Sequence, residues 1–292
     1  MKKPELSIII LNYNTKDLLS DCLDSAEKYM NEVSLEVVVS DNSSTDGSIE
    51  MVKNKFPWVK CIKGPNTGFA NGNNRAKGVV QGEFILFLNS DTVLHTNALA
   101  KTVAYLKSNK DVGVVTCKLV LPNGKLDKDA RRRFPTPWVS FKRLFLKNTG
   151  QYWYEDIDEN KLHEVESVEG AFLLTRKSIL DEVNWFDEKY LFDGEDLDLC
   201  FRIKKLGYKI IYFPEVSIIH IKGATKGKVD GIKNKVSPEL ILKRRMDGVN
   251  SMEYFYKKNL WDSYPLIFNY FVLIGIKLLK LSRYLKIKLQ LQ

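Results

Sequence analysis

Two clusters of polar residues carry side chains suited to chemistry on phosphorylated substrates. The first is Asn89-Ser90-Asp91, which follows the apolar run Phe84–Leu88. A carboxylate at the end of a strand can bind a hard divalent cation, Mg²⁺ or Mn²⁺, and that cation can neutralise a diphosphate. The competing interpretation is structural, since an aspartate in this position is often a turn residue or a helix cap.

The second cluster is acidic and extends from Asp193 to Asp198, with four carboxylates in six residues. Asp198 precedes Arg202 by four residues, so part of the cluster fits a solvated charge pair on a helix. The remaining acids exceed what such a pair requires, and their mutual repulsion raises their pKa values. A carboxylate at a helix N-terminus that faces a cleft is suited to act as a general base.

Three further features could join these clusters. Asp41 follows an apolar run and could accept an N–H of a pyrimidine base or cap the next turn. The segment Gly68–Asn74 offers glycines for close backbone approach and amides for ligand binding. His220 ends the run Val216–Ile219. A lone histidine there is more often structural, but it would suit a metal if its strand ended beside Asp91.

The apolar periodicity predicts the elements that position these residues. Four runs of strand length occur in the first part of the chain, at Leu6–Leu11, Leu35–Val39, Val59–Ile62 and Phe84–Leu88. Helical spacing follows the first two runs. Unbroken apolar strands separated by helices indicate an α/β fold with a mostly parallel sheet covered on both faces. Ligands bind such sheets beyond the carboxyl ends of the strands, where Asn12, Asp41 and Asp91 follow.

The second half of the chain is less regular. We expect strands at Val112–Leu121, Val168–Thr175, Lys209–Phe213 and Val216–His220, and a helix at Glu195–Leu206. The stretch Lys125–Glu164 has no clear period and is predicted to form a variable loop or lid, with a helix near Ser140–Phe145. It contains Arg131, Arg132, Arg133 and Trp138. A solvated basic loop is the alternative interpretation of that group.

The charge is unevenly distributed. The 292 residues include 45 Lys+Arg and 36 Asp+Glu, which gives +9, and 44% are hydrophobic. These values exclude a disordered chain, a collagen and a small disulfide scaffold. The last 28 residues contain five basic residues and no acid, so they supply +5.

This tail has an apolar stretch and an amphipathic one. Leu266–Ile276 is too short to span a hydrocarbon core of about 30 Å. Leu278, Leu281, Leu285 and Leu289 share one helical face, opposite Lys280, Arg283 and Lys286. This pattern favours attachment to an anionic membrane surface. Packing on the core or on a second subunit, as in a homodimer, and a strand from Leu285 to Gln292 are the alternatives.

The cysteines and the N-terminus bear on localisation. Cys22, Cys61, Cys117 and Cys200 show no short pairing, so neither a zinc site nor a disulfide framework is indicated. The first residues lack the features of a signal peptide. We therefore expect a cytoplasmic protein that is peripheral at the inner face of the cell membrane.

The ordered set of motifs resembles family 2 glycosyltransferases, within them the rhamnosyltransferase-like branch. The matching segments are Ser7–Asn14, Asp41–Ser48, Asn66–Asn74, Leu88–Asp91 and Gly194–Arg202 with Gly207-Tyr208. The resemblance covers roughly Leu6 to Gly223. It implies the nucleotide-diphospho-sugar transferase fold, of GT-A type, over residues 1–225, with a helical extension over 226–292.

The resemblance also implies roles for individual residues. The nucleotide would contact Asn12, Asn14, Asp41, Asn66, Gly68, Asn73, Asn74, Asn89 and Ser90. Asp91 and His220 would hold a divalent metal, and Asp196, or else Glu195, would be the base. Arg131, Arg132, Arg133, Trp138 and Asp193 would contact donor or acceptor. One departure is Asn89, which stands where the family commonly has the first aspartate of Asp-x-Asp, so Asp91 is the only certain anionic ligand of the motif.

The implied reaction is a single inverting displacement. A sugar would pass from a nucleotide-diphosphate donor to a hydroxyl of a cell-surface glycan or lipid-linked acceptor. The segment Arg131–Trp138 is similar to one in rhamnosyltransferase-like members, so dTDP-rhamnose is the first choice of donor and a UDP-hexose the alternative.

Other classes of protein fit less well. A nucleic-acid binder would account for the basic stretch Lys222–Arg245, but the chain has no recognised nucleic-acid motif. A sugar-nucleotide pyrophosphorylase would carry a glycine-rich loop with Arg and Lys after the first strand, where this chain has Asn12-Tyr13-Asn14-Thr15. A non-catalytic nucleotide-sugar-binding module is distinguished only by assay.

Overall fold

The computed structural model describes residues 3–95, 97–191, 193–222 and 238–290. The strands are β1 (Leu6–Asn12), β2 (Leu35–Asp41), β3 (Lys60–Lys63), β4 (Phe84–Asn89), β5 (Thr92–Leu94), β6 (Val112–Val120), β7 (His163–Val165), β8 (Phe172–Arg176) and β9 (Lys209–His220). The α-helices are α1 (Lys16–Glu27), α2 (Ser48–Lys55), α3 (Phe69–Asn74), α4 (Ala98–Ser108), α5 (Pro137–Phe145), α6 (Lys177–Glu182), α7 (Glu195–Lys205), α8 (Pro238–Phe255) and α9 (Leu266–Gln290).

These strands form one mixed sheet. Its order is β3-β2-β1-β4-β8-β6-β9-β5, and β7 also pairs with β9. The pairs among β3, β2, β1 and β4 are parallel, as is the β6–β9 pair. β8 runs antiparallel to both of its neighbours, and β5 and β7 run antiparallel to β9.

The central strands are buried because both faces of the sheet are covered. Ile8, Ile9 and Ile10 in β1 are fully buried, as are the apolar residues at the centre of β2 and β4. β-branched side chains pack well on a pleated surface, which explains why these runs form strands. The sheet therefore fixes the positions of the polar residues at its carboxyl edge.

The α/β fold with a mostly parallel sheet is confirmed, but several details of the expectation were wrong. The run predicted as Val168–Thr175 begins as a strand only at Phe172 and is antiparallel. The two runs predicted at Lys209–Phe213 and Val216–His220 are one strand, β9, whose pairing with β6 shifts register near Pro214. β5, β7, α3, α4 and α6 were not predicted.

The stretch Lys125–Glu164 is mostly irregular, as expected, and it contains α5. This helix begins at Pro137, three residues before the predicted start, because the hydroxyl of Thr136 accepts the N–H of Val139 at 3.4 Å. Proline is favoured in the first turn, where its missing N–H costs nothing.

The C-terminal part is helical. A π-helical turn at Tyr256–Leu260 follows α8, and α9 continues without a break from Leu266 to Gln290. The alternative of a strand from Leu285 is therefore wrong for the described residues. None of the described helices has both the length and the apolar character needed to span a bilayer. The proposed domain boundary after residue 225, and residues 223–237 of the basic stretch Lys222–Arg245, lie outside the described residues.

Candidate active site

The ends of β1 and β2 form a hydrogen-bonded pair. Asn12 donates from Nδ2 to Oδ1 of Asp41 at 2.9 Å, and the N–H of Ser44 binds Oδ2 of Asp41 at 2.9 Å. Asn14 accepts the N–H of Thr45 at 2.8 Å. Parallel pairing places Asn12 directly beside Asp41, so both strand ends contribute to one turn. Asp41 therefore caps this turn, and its contact with a pyrimidine base of the nucleotide stays a prediction.

The glycine-rich segment packs against other parts of the protein. Gly68 has φ +108°, and a Cβ there would lie 2.6 Å from the carbonyl oxygen of Leu191. Asn73 donates to the carbonyl of Phe69 at 3.0 Å, and Asn74 donates to that of Phe186 at 2.9 Å. In the described residues, the close approach that Gly68 permits is thus between two protein segments.

The same segment meets the end of β2 through side-chain amides. Nδ2 of Asn42 donates to Oδ1 of Asn66 at 3.3 Å, and Arg75 donates from Nη1 to the carbonyl of Asp41 at 2.8 Å. Arg75 and Asn42 were not singled out in the sequence. These contacts place the predicted nucleotide-binding segments Asp41–Ser48 and Asn66–Asn74 beside one another at the carboxyl edge.

Asp91 and His220 are neighbours, as the sequence required for a shared metal. β5 pairs with β9 so that Thr92 lies opposite His220, and Nε2 of His220 is 3.4 Å from Oδ1 of Asp91. Ser90, next to Asp91, is buried and its hydroxyl is 2.9 Å from that of Thr15. Asn89 ends β4 beside the start of β8, where its N–H binds the carbonyl of Ala171 at 3.2 Å.

Two further carboxylates, absent from the predicted set, complete this cluster. Nδ1 of His220 is 2.8 Å from Oδ2 of Asp127 and 3.9 Å from Oε2 of Glu169. Ligand atoms of Asp127, Glu169 and His220 all lie within 4.8 Å of one another. Lys222 also contacts the cluster, with Nζ 2.6 Å from both Asp127 and Asp129. We call Asp91, Asp127, Glu169 and His220 the acidic histidine cluster.

Burial and proximity shift the pKa values in this cluster. Burial alone would lower the pKa of His220, but hydrogen bonds to Asp127 and Asp91 raise it to about 10. Burial raises the pKa of Glu169 to about 7, against the opposing charges of His220 and Lys222. The cluster therefore holds a concentrated negative potential that His220 and Lys222 partly balance.

The donor set fits a divalent cation. It combines three carboxylates with one imidazole, ligand types that Mn²⁺ accepts readily and that suit Mg²⁺ through their oxygens. Oε2 of Glu169 is buried and has no hydrogen-bond partner, which is the condition of a group awaiting a ligand.

Asp196, the predicted base, pairs with Arg132. Nη2 of Arg132 lies 2.7 Å from Oδ2 of Asp196 and also donates to the carbonyl of Val168 at 2.6 Å. The N–H of Gly170 lies 3.3 Å from the same Oδ2. Burial alone would lower the pKa of Arg132, but Asp196 and neighbouring acids raise it well above its ordinary value. Arg132 is therefore a cation that faces the predicted base.

Glu195 differs from its neighbour. It is buried at the start of α7, and its Oε2 has no hydrogen-bond partner. Burial, and then repulsion from Asp196 and Asp193, raise the pKa of Glu195 well above its ordinary value. Asp193 is exposed just before the helix. The sequence correctly indicated mutual repulsion among these acids.

Asp198 is not part of a solvated charge face, although it pairs with Arg202 as its spacing suggested. Its side chain is 0% exposed, and Arg202 donates from Nε at 2.7 Å. Lys258, 2.8 Å away, and Asn259, 2.9 Å away, approach it from the π-helical turn. Asp198 therefore joins α7 to the C-terminal part of the chain.

The three consecutive arginines have different surroundings. Arg131 is buried over the ring of Tyr212, and Arg133 makes a pair of hydrogen bonds to Asp156 at 3.2 and 2.9 Å. Trp138 is 59% exposed on α5. Only Arg132 of this group binds a predicted catalytic residue in the described part of the chain.

Two chain segments connect the base to the acidic histidine cluster. In one, Asp127 binds His220 and Arg132 binds Asp196. In the other, Glu169 faces His220 and the N–H of Gly170 faces Asp196. A candidate cation site and the predicted base, Asp196, are therefore held together by the same two segments, an arrangement suited to transfer from a diphosphate to a hydroxyl.

The sequence is similar to a protein-family model and to characterised relatives. The model described as glycosyltransferase like family 2 matches residues 4–235. Rhamnosyltransferase WbbL of Escherichia coli K12 is 25% identical over 222 residues, which are 73% of this chain and 82% of that protein. An N-acetylglucosaminyl-diphospho-decaprenol L-rhamnosyltransferase of Mycobacterium tuberculosis is 24% identical over 213 residues, which are 66% of this chain and 68% of that protein.

Other relatives are much longer than the matched region. A poly(ribitol-phosphate) beta-glucosyltransferase of Bacillus spizizenii is 34% identical over 112 residues, which are 36% of this chain and 18% of that protein.

Among solved structures, the mannosyltransferase PcManGT of Pyrobaculum calidifontis, in complex with GDP-Man and Mn²⁺, superimposes with a TM-score of 0.57 at 19% identity, over 88% of this chain and 66% of that one. S. aureus TarS residues 1–349 give a TM-score of 0.56 at 16% identity, over 88% of this chain and 81% of that one. These two structures share the GT-A fold with this chain.

Proposed function

Because this chain belongs to the glycosyltransferase-like family 2, we propose that it transfers a sugar, with inversion, from a nucleoside-diphosphate donor to a hydroxyl of a glycan or lipid-linked acceptor. The observation that carries the proposal is the pair of segments that hold the acidic histidine cluster next to Asp196 and Arg132. An inverting transferase needs a site for the diphosphate on one side of the anomeric carbon and a base on the other.

The chemistry assigned to the protein residues is a single displacement. Asp196 takes the proton of the acceptor hydroxyl as its oxygen forms a bond to the anomeric carbon. The bond from that carbon to the diphosphate oxygen breaks, and the nucleoside diphosphate leaves with the electron pair. A divalent cation, held by Asp91 and His220 with Asp127 and Glu169, would supply neutralising charge for the leaving group.

Glu195 is the second candidate for the base. Its Oε2 has no hydrogen-bond partner and burial raises its pKa well above the ordinary value, and perturbed carboxyl groups of this kind cluster at functional sites. Asp196 is preferred because Arg132 holds one of its oxygens in a fixed position, which orients the other.

The first-choice donor is dTDP-rhamnose, with a UDP-hexose as the alternative. Relatives named as rhamnosyltransferases in two bacteria support the former, and the glucosyltransferase of Bacillus spizizenii supports the latter. The acceptor is proposed to be lipid-linked and the protein to be peripheral at the inner face of the cell membrane. The exposed apolar side chains of α9, with its cations, support contact with an anionic membrane surface.

Donor screening tests this function. We expect dTDP-rhamnose with Mg²⁺ or Mn²⁺ to raise the melting temperature of the protein more than UDP-sugars or GDP-sugars do, because bound ligand stabilises the folded state. Without a metal ion, dTDP-rhamnose should raise it less. Mass spectrometry should then show one deoxyhexose added to an acceptor. Stabilisation by a UDP-hexose alone would favour the alternative, and no response to any nucleotide sugar would refute the proposal.

A further inference from the structure

α5 presents an apolar face to solvent. Within the described residues, none of its nine side chains is buried. Trp138, Phe141 and Phe145 lie at successive turns and their rings stack, with centroids 5.9 and 5.3 Å apart. Phe145 is 62% exposed, and Leu146, which ends the helix, is 59% exposed. Contiguous exposed apolar patches of this kind mark interaction sites.

The same segment is basic. Residues 137–147 include Lys142, Arg143 and Lys147 and no acid. Nζ of Lys142 lies 4.9 Å from the ring of Trp138, so charge borders the apolar face directly. A helix with aromatic side chains on one face and cations beside them is typical of the interface of an anionic bilayer, where long basic side chains reach the headgroups.

α9 has the same character on a larger scale. Exposed apolar side chains recur along one face at Ile267, Phe271, Ile274, Leu278 and Leu281. The opposite face packs on the protein, where Ile276 is buried and Lys280 donates to Asn250 of α8 at 2.7 Å. α9 therefore packs on the protein through Val272, Leu273 and Ile276 and leaves a second apolar face exposed to solvent.

The two helices begin at one cleft. Phe134, three residues before α5, lines a cleft of about 340 Å³ together with Asp262 and Ser263, which shortly precede α9. The ring of Phe134 also lies 6.3 Å from that of Phe255, at the end of α8. The starts of α5 and α9 are thus neighbours in space although they are far apart in the chain.

From these observations we infer that α5 and α9 together form one docking surface for an anionic phospholipid bilayer. The inference rests on the proposed function, since it explains how a lipid-linked acceptor would reach the base. Arg132, which binds Asp196, lies five residues before α5 begins. A bilayer bound at α5 would therefore hold acceptor headgroups beside the reaction centre, while α9 adds affinity.

Charge complementarity favours a bilayer over a second copy of this chain. On α5, Lys142 borders the exposed ring of Trp138, and on α9 the exposed Lys277 adjoins Leu278. Neither helix contains an acid. In a symmetric dimer through this surface, the same basic residues would face one another, and like charges in contact destabilise an interface. Anionic headgroups neutralise them instead.

Co-sedimentation of the full chain with vesicles tests the surface without any donor or acceptor. The probes are vesicles of phosphatidylglycerol and phosphatidylcholine, 3:7 (~30% anionic lipid), and of phosphatidylcholine alone. We expect F145S/L146S to lower binding to the anionic vesicles by at least about tenfold, because two large apolar side chains no longer enter the bilayer. L278S/L281S on α9 should cause a similar loss, and L162S, at an exposed leucine outside both helices, should not.

Several outcomes would overturn the inference. Binding of F145S/L146S equal to that of the unaltered chain would remove α5 from the surface. Equal binding to both kinds of vesicle would exclude recognition of anionic lipid. A dimer in sedimentation equilibrium that F145S/L146S dissociates, with no vesicle binding by the full chain, would identify a second copy as the occupant. Donor-induced thermal stabilisation of the same variants tests the proposed function separately.

Discussion

Arg132 and Asp196 form a buried ion pair, with Nη2 2.7 Å from Oδ2, although 64 residues separate them in the chain. The pair holds the predicted base against the segment that leads to α5. The N–H groups of Gly170 and Leu197 also donate to Asp196, at 3.3 and 2.7 Å, so Arg132 is the charged member of three contacts that orient the carboxylate.

Replacing Arg132 with glutamine should cost both activity and stability. Removal of one partner from a buried ion pair strands the other charge, which typically costs about 3–5 kcal/mol. Urea unfolding measures this loss, and turnover should fall by at least about tenfold because the carboxylate is no longer oriented. In the control R133Q, the partner Asp156 has a side chain that is 58% exposed, so about 1 kcal/mol is expected. Equal losses in both variants would contradict this account.

Asp196→Asn should abolish transfer while nucleotide-sugar binding survives. The amide cannot take a proton from the acceptor, and loss of a general base commonly lowers the rate by about 10²–10⁴. Product formation and donor titration are measured on the same sample. Glu195→Gln serves as the matched comparison and should retain more activity. If E195Q is inactive and D196N turns over normally, Glu195 is the base.

Asp91→Ala should remove metal-dependent nucleotide binding. Asp91 faces His220 at 3.4 Å and supplies a buried carboxylate to the acidic histidine cluster. Calorimetric titration of the protein with a nucleoside diphosphate, in the presence of Mn²⁺, should show a loss of affinity of at least about tenfold. This is the loss expected for a metal ligand or its immediate partner. Asp111→Ala, at an exposed aspartate paired with Lys209, is the control. An unchanged titration for Asp91→Ala would refute the metal role.

Asp198→Asn should destabilise the contact between α7 and the C-terminal helices. The buried carboxylate accepts from Arg202, Lys258 and Asn259. Neutralising it removes the carboxylate partner of Arg202, at a cost of about 3–5 kcal/mol, whereas Lys258 keeps its contact with Asp187. Limited proteolysis should then cut within α8 faster than in the unaltered protein. Asp21→Asn, on the exposed face of α1, should change stability by no more than about 0.5 kcal/mol. Similar cleavage of Asp198→Asn and Asp21→Asn would show that Asp198 does not hold α7 to the C-terminal helices.

Gly68→Ala should destabilise the glycine-rich segment. Gly68 has φ +108°, and a Cβ would lie 2.6 Å from the carbonyl oxygen of Leu191, so we expect a loss of about 1–3 kcal/mol. Thermal unfolding with and without nucleotide sugar measures the effect. Gly78→Ala is the control, because no atom lies within 4 Å of its Cβ position. A stable Gly68→Ala variant would show that the backbone there adapts.

The local pattern of the sequence determined the elements that build the carboxyl edge of the sheet. The apolar runs of β1, β2 and β4 predicted buried strands, because a strand that is covered on both faces has apolar residues at successive positions and no alternating polar ones. The acidic start of α7 was equally visible. Local spacing also indicated the Asp198–Arg202 pair, but not that Asp198 is buried and shared with Lys258.

Tertiary structure alone decided which residues meet. The insertion of β8 antiparallel between β4 and β6 brings Glu169 and Gly170 to the site, and Asp127 reaches His220 across 93 residues. From the sequence, Arg132 was expected to contact donor or acceptor, and its pairing with Asp196 was not expected. The backbone of Arg132 is extended and pairs with that of Ser167. Successive side chains of an extended segment point to opposite sides. Arg132 therefore faces Asp196, while Arg131 and Arg133 contact other parts of the protein. Periodicity specifies the local elements, whereas contacts across 64 and 93 residues follow from the order of the strands in the sheet.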